Sequence, residues 1–233
     1  VQTCALPISA KETIRIYKDF YMNKEDVVFN PFEIPDFLYF LRLFSELKKV
    51  DLISFSKGER MAYFLNVYQL VSFHRLALEA GGSGKKAGLL SSVGLAKGAT
   101  YKLGSEAFMT FSADDILHGV LRKNTKKYSA YFAQFKGGDS RATLISNFDK
   151  RIFVLYYLEH CELKDIQMEK FDPNTWESRL DSKLKAWASQ NMYYNPVEKS
   201  ISIPLYLENN YLADYNNQEI DMVLDVNSFY LAK

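Results

Sequence analysis

A chain of 233 residues with a formal charge of +1 is long enough for a sizeable core and carries no basic field to attract nucleic acid. Its 16 Tyr and 17 Phe exclude a disordered chain and point to a thick aromatic core. Lys, Asp and Glu are scattered, as on a solvated surface.

The first eight residues, Val-Gln-Thr-Cys-Ala-Leu-Pro-Ile, match the translation of a common sequencing-library adaptor. Residues 1–8 are therefore expected to be foreign, with residues 9–233 forming one domain truncated at its N-terminus; the alternative is a genuine irregular start. On the first reading Cys161 is the single native cysteine, which leaves no intrachain disulfide framework and fits a reducing, intracellular compartment.

From Ala10 to Met22, Ile14, Tyr17 and Tyr21 recur at helical spacing. Asn30-Pro31 and Ile34-Pro35 punctuate a loop, and Asp36 to Lys49 reads as a second helix with Phe37, Phe40, Leu41, Phe44 and Leu47 along one stripe. The stretch Ser56 to Gly82 predicts a central helix over about residues 57–80. Ser56 and Glu59 form a capping box, and Gly81-Gly82 supply the stop. Between them lie about six turns, roughly 35 Å. Apolar residues surround the axis, as in a buried helix, while Asn66, Gln69, Ser72, His74 and Arg75 make it too polar to span a bilayer. No transmembrane segment is expected.

Residues 81–98 are rich in Gly, Ser and Lys and read as a mobile surface connection without a phosphate-binding pattern. Tyr101–Leu103 and Ala107–Phe111 flank Gly104 as a hairpin. Ser112 with Asp115 repeats the capping logic and opens a helix through Asn124. Gly137-Gly138-Asp139 marks a loop. Arg151 to Leu158, rich in β-branched and aromatic residues, reads as a buried strand. Asp172-Pro173 is expected to cap a helix carrying Trp176, Leu180, Leu184 and Trp187 on its core face. Asn195-Pro196 is a turn, Ser200–Ile203 a short strand, and Glu219 to Leu231 a final helix. Helices first and mixed elements later predict an α+β fold: a helix-rich single domain with a small, mainly antiparallel sheet.

Three stretches resemble a known family. Ala62-Tyr63-Phe64-Leu65-Asn66-Val67-Tyr68-Gln69 is similar to an Ala-Phe-Trp-Ile-Asn-x-Tyr-Asn signature. The run from Asp114 to Arg122 is similar to an Ile-Glu-His-x-Ile-Leu-Arg helix, and Asp149-Lys150-Arg151-Ile152-Phe153 to an Asp-Pro-Arg-Ile-His strand. On these motifs residues 36–231 resemble DUF547, an uncharacterised domain compared with papain-like thiol enzymes because of a His and a Cys. The resemblance implies a pocket or motif set of Asn66, Tyr68, Gln69, Asp115, His118, Arg122 and Arg151. Plant relatives carrying the domain behind a coiled coil imply a role in complexes. Where the family's reactive groups fall, this chain has Phe153 for the histidine and Leu158 for the cysteine. Neither side chain can act as nucleophile or base.

The remaining chemistry is sparse. Asn66 and His74 lie about 80° apart around the central helix and read either as a polar pocket with Tyr63 or as buried groups satisfied by backbone or by each other. His118 shares an i, i+4 row with Asp114 and Arg122, read either as an oriented base or structural hydrogen bond, or as a surface charge row. His160 and Cys161 are adjacent and, in a strand, would face opposite ways. Three scattered His and one Cys make no zinc site. The expectation is a non-catalytic DUF547-like domain acting as a protein-interaction or scaffold module, with no cofactor, no metal and no nucleic-acid partner. The alternative is a thiol hydrolase or transferase using Cys161 with His118 or His74.

Overall fold

Among the described residues, the buried apolar side chains form one continuous core that takes in most of the helix Lys57–Gly81 (α3). The computed structural model describes residues 11–16, 33–81, 100–124, 133–144, 149–155, 158, 166–195, 197–198 and 200–202. Residues 11–16 are helical (α1), and Pro35–Ser45 (α2) follows, with proline in its first turn and Phe37 and Phe40 buried. A 3₁₀ turn, Glu46–Lys49, extends α2 and buries Leu47.

The start of α3 is held by the expected capping box. Ser56 N–H donates to Glu59 Oε2 at 2.9 Å, and Glu59 N–H donates to Ser56 Oγ at 3.3 Å. The Ser56 hydroxyl hydrogen bond, ahead of its amide, lowers the Glu59 pKa. Along α3, Met61, Phe64, Leu65, Val67, Tyr68, Leu70, Val71, Phe73 and Leu76 are all buried, so up to Ala77 the helix leaves no large apolar side chain to water. Phe37 and Phe40 of α2 pack on Phe73, the latter edge-on at 5.1 Å between ring centroids.

Beyond α3, Tyr101–Lys102 (β1) and Thr110–Phe111 (β2) form an antiparallel hairpin, with Tyr101 opposite Phe111. Gly104 turns it at φ +89 and lies against Leu52, which a side chain at 104 would meet at 3.0 Å. Ser112 and Asp115 then cap each other: Ser112 N–H donates to Asp115 Oδ2 at 2.8 Å, and Asp115 N–H to Ser112 Oγ at 3.0 Å. The helix that follows widens into a π-helix over Asp115–Leu121, every residue of which is buried. Its bonds run Arg122 N–H to the Leu117 carbonyl and Asn124 N–H to the Gly119 carbonyl, both 2.8 Å.

The buried strand expected over Arg151–Leu158 is not formed: Lys150–Leu155 is a 3₁₀ helix, and Leu158 is also helical. The reason is local. Asp149 accepts the Arg151 amide at its carboxylate, and its carbonyl accepts the Ile152 amide at 3.1 Å, which closes a tight turn before any strand pairing. The apolar side chains are buried all the same. The helix expected from Asp172-Pro173 begins one turn later, as Trp176–Asn191 (α4), because Asp172 spends its carboxylate on the Asn174 amide in an Asx turn. Leu180 and Leu184 of α4 are fully buried and Trp187 nearly so. Tyr193–Asn195 (β3) and Ser200–Ser202 (β4) make a second antiparallel ribbon, Tyr193 opposite Ser202.

The fold is thus α+β and helix-rich, with two separate two-stranded ribbons among the described residues. No described helix is long and apolar enough to cross a membrane. The expected helical tail beyond residue 16, the glycine-rich stretch 82–98 and the final helix lie outside the described residues.

Gly119 sits against the Phe135 ring, where an added Cβ would fall 2.4 Å from a ring carbon. Gly119→Ala is expected to destabilise the domain by about 1–3 kcal/mol in urea unfolding, with part recovered in the Gly119→Ala/Phe135→Leu double variant.

Candidate functional site

The signature residues of α3 are occupied with backbone. Asn66 Nδ2 donates to the Phe171 carbonyl at 2.8 Å, and Phe171 N–H donates to Asn66 Oδ1 at 2.9 Å. One turn on, Gln69 Nε2 donates to the Glu169 carbonyl and Glu169 N–H donates back to Oε1, both at 2.9 Å. Lys183 Nζ reaches from α4 to the Gln167 carbonyl at 3.1 Å. Residues 167, 169 and 171 are thus bonded from one side in alternation, which is the periodicity of an extended strand. Side-chain amides here replace a neighbouring strand. Gln69 does this as well as Asn66, so the departure from the family's second Asn changes the reach but keeps a donor and an acceptor. Tyr68, between them, is fully buried.

His118 and Arg122 lie on and just after the π-helix, and both are fully buried. An Arg122 guanidinium N–H points at His118 Nδ1. A guanidinium has no acceptor, so Nδ1 is the acceptor and the ring proton sits on Nε2. Of the readings open for this row, a surface charge row does not hold for His118 and Arg122: the i, i+4 pair is interior and makes a structural hydrogen bond. Asn124, held at φ 58 just beyond, binds Phe135 by the same reciprocal amide grip, Nδ2 to its carbonyl at 2.9 Å and its N–H to Oδ1 at 2.7 Å.

Two Asp-x-Arg clasps complete the framework, and sequence reading found only one of their arginines. In Asp149-Lys150-Arg151 the carboxylate takes the Arg151 amide and guanidinium, while NH1 crosses to Asp181 of α4 at 2.7 Å. In Asp139-Ser140-Arg141 the same clasp forms, and NH1 crosses to Asp115 Oδ2 at 2.9 Å and to the Thr110 carbonyl. Arg141 also stands 4.7 Å over the Phe135 ring. The Arg141 hydrogen bond holds Asp139 below the usual carboxylate range, and Asp149 and Asp181 keep Arg151 firmly protonated. The shared Asp-x-Arg spacing was the available signal for Arg141.

His74 sits apart from this cluster in the aromatic layer between α2 and α3. Its ring packs on Phe37 and Phe44, and Nδ1 lies 3.1 Å from the Tyr101 hydroxyl. The pocket joining Asn66, Tyr63 and His74 is not found: Asn66 faces Phe171 and His74 faces Tyr101, because 80° of rotation on a fully enclosed helix sends them to different neighbours. Among the described residues the buried Tyr63 hydroxyl meets no hydrogen-bond partner, and burial raises its pKa. Phe153 stands edge-on to Trp187 at 5.3 Å. Leu158 is fully buried, and its carbonyl accepts Arg75 NH2 at 2.6 Å. Cys161 and His160 lie outside the described residues. Among the described residues, no three His, Cys, Asp or Glu side chains gather as metal ligands would.

With this geometry in hand, the family comparison has a physical content. The family model described as "Protein of unknown function, DUF547" matches residues 52–187, more than half the chain, and the chain belongs to that family. The matched span runs from the loop before α3 through the π-helix and both clasps to Trp187 of α4. Neither the curated proteins nor the solved structures gave a match.

Two outcomes test the framework. Asn66→Ala and Gln69→Ala each leave backbone groups of the 169–171 segment unpaired and are expected to cost about 1–3 kcal/mol in urea unfolding, less than additively when combined. His74 has its pKa lowered from 6.5 by burial. The unfolded chain therefore binds a proton that the folded one refuses, and stability present above about pH 6.5 is lost as pH falls. His74→Phe should flatten the fall in unfolding free energy between about pH 7 and pH 5.

Proposed function

We propose that this DUF547 domain is a non-catalytic protein-interaction or scaffold module. The observation that carries the reading is the complete burial of His118 with Nδ1 engaged by Arg122. A general base must come within hydrogen-bond reach of the proton it removes, and a ring with no exposure and an occupied acceptor has no such approach. The other motif residues support the same reading. Asn66 and Gln69 bind backbone, Asp115 and Arg151 are committed to ion pairs, and Phe153 and Leu158 fill core volume. The signature is then an architectural device, preserving a shape that a partner recognises.

Cys161 provides the decisive test. In a Cys4→Ser chain, iodoacetamide should alkylate Cys161 no faster than an ordinary thiol of pKa about 8.5, with no dependence on His118 or His74. Rapid alkylation with a depressed pKa, slowed by His118→Gln or His74→Gln, would establish instead the thiol hydrolase or transferase.

A further inference from the structure

The extended segment held by Asn66 and Gln69 forms one wall of a polar cleft of about 580 Å³, lined by Lys11, Glu169, Lys170, Asp172, Thr175 and Arg179. Three of these are cations, contributed by α1, the segment itself and the first turn of α4. Lys11, Lys170 and Arg179 are exposed and make no ion pair or side-chain hydrogen bond among the described residues. Elsewhere the described arginines largely spend their charge in the fold: Arg141 and Arg151 each hold two carboxylates. A cleft edged by three uncommitted cations on a clamped wall is therefore a distinct feature of the surface.

From this we infer that the cleft is the docking site of the module and that it takes an extended acidic peptide segment of a partner protein. The inference rests on the interaction-module reading and supplies its surface. Side-chain carboxylates of the peptide would meet Lys11, Lys170 and Arg179, the last with a planar fork suited to bidentate pairing. Peptide N–H groups would find acceptors in Glu169 and in Asp172, whose Oδ1 already takes the Asn174 amide. Thr175, at the start of α4, makes no capping bond through its hydroxyl, which leaves it for a peptide carbonyl. The volume is that of a site enclosing a few residues rather than a broad interface. Wall rigidity lowers the ordering cost of binding, because residues 167, 169 and 171 are fixed by Lys183, Gln69 and Asn66 before any partner arrives. In this arrangement the family signature acts at one remove: the amides of α3 position Glu169 and Lys170.

The test uses the full chain and fluorescein-labelled oligo-glutamate, with oligo-serine and oligo-lysine peptides of equal length, followed by fluorescence anisotropy at low ionic strength. Oligo-glutamate should bind and the others should not. Lys170→Glu and Arg179→Glu should each weaken binding by about tenfold or more, whereas Lys102→Glu, the same charge reversal at an exposed side chain of β1, should leave it within about twofold. Lys170→Ala and Arg179→Gln should weaken binding in the same order and guard against misfolding of the reversals, with urea midpoints compared for all variants. No binding of oligo-glutamate, equal binding of oligo-serine, or equal weakening by Lys102→Glu would overturn the site. The Cys161 alkylation result is independent of these outcomes, so failure of the docking site and failure of the non-catalytic reading are told apart.

Discussion

On a helix this deeply enclosed an unpaired carboxamide is costly, and that constraint organises the packing around α3. An orphaned buried amide costs on the order of 1–3 kcal/mol, so each carboxamide on α3 must find a donor and an acceptor together. A primary amide presents both at the spacing of a peptide group, and the partner that fits is the backbone of a single residue in an extended segment. Asn66 takes Phe171 and Gln69 takes Glu169. The segment cannot then drift, and the turn at Asp172-Pro173 and the start of α4 are set with it. Gly58, in the first turn of α3, suits the join, since a Cβ there would fall 3.0 Å from the Pro173 carbonyl oxygen. Asn124 repeats the device on Phe135, where the chain needs another fixed point without a sheet to supply one.

Charge is handled by the same economy of means. In the family-matched span Arg122 is wholly buried and Arg141 and Arg151 are largely withdrawn from water, and a withdrawn cation must be matched by carboxylates or other acceptors. Arg141 and Arg151 first close on an aspartate two residues earlier, which folds the local chain into a 3₁₀ turn, and then reach a second aspartate on another element. Local geometry and long-range docking are thereby one interaction. Arg122 also engages a histidine, His118, and so absorbs the imidazole that would otherwise invite a catalytic reading. The motif residues that resemble the family's hold the interior together, while exposed cations such as Lys170 and Arg179 lie outside those motifs.

Much of this was legible in the chain itself. The capping boxes at Ser56 and Ser112, the apolar girdle of α3, the Gly104 hairpin and the core stripe of α4 depend on neighbours within a few residues, and short-range chemistry settles them. The family resemblance was legible for the same reason, since its motifs are contiguous. The reading failed at Arg151–Leu158. β-branched and aromatic composition indicates burial, but burial is equally served by a 3₁₀ helix once an aspartate captures the amide two residues on. The His118 row stayed open between a surface and a structural reading on the same ground, because an i, i+4 spacing identifies a common face and says nothing of what covers it.

The sequence alone determined the central helix with its capping box, the second capping box at Ser112 and the core stripe of α4, because capping and periodicity are properties of single residues and their near neighbours. Only the tertiary structure decided which partner each polar group received. Asn66 and Phe171 are 105 residues apart, and Arg151 and Asp181 are 30 apart. Such pairings follow from which surfaces are pressed together when apolar area is removed from water, a property of the whole packed chain that no local spacing encodes.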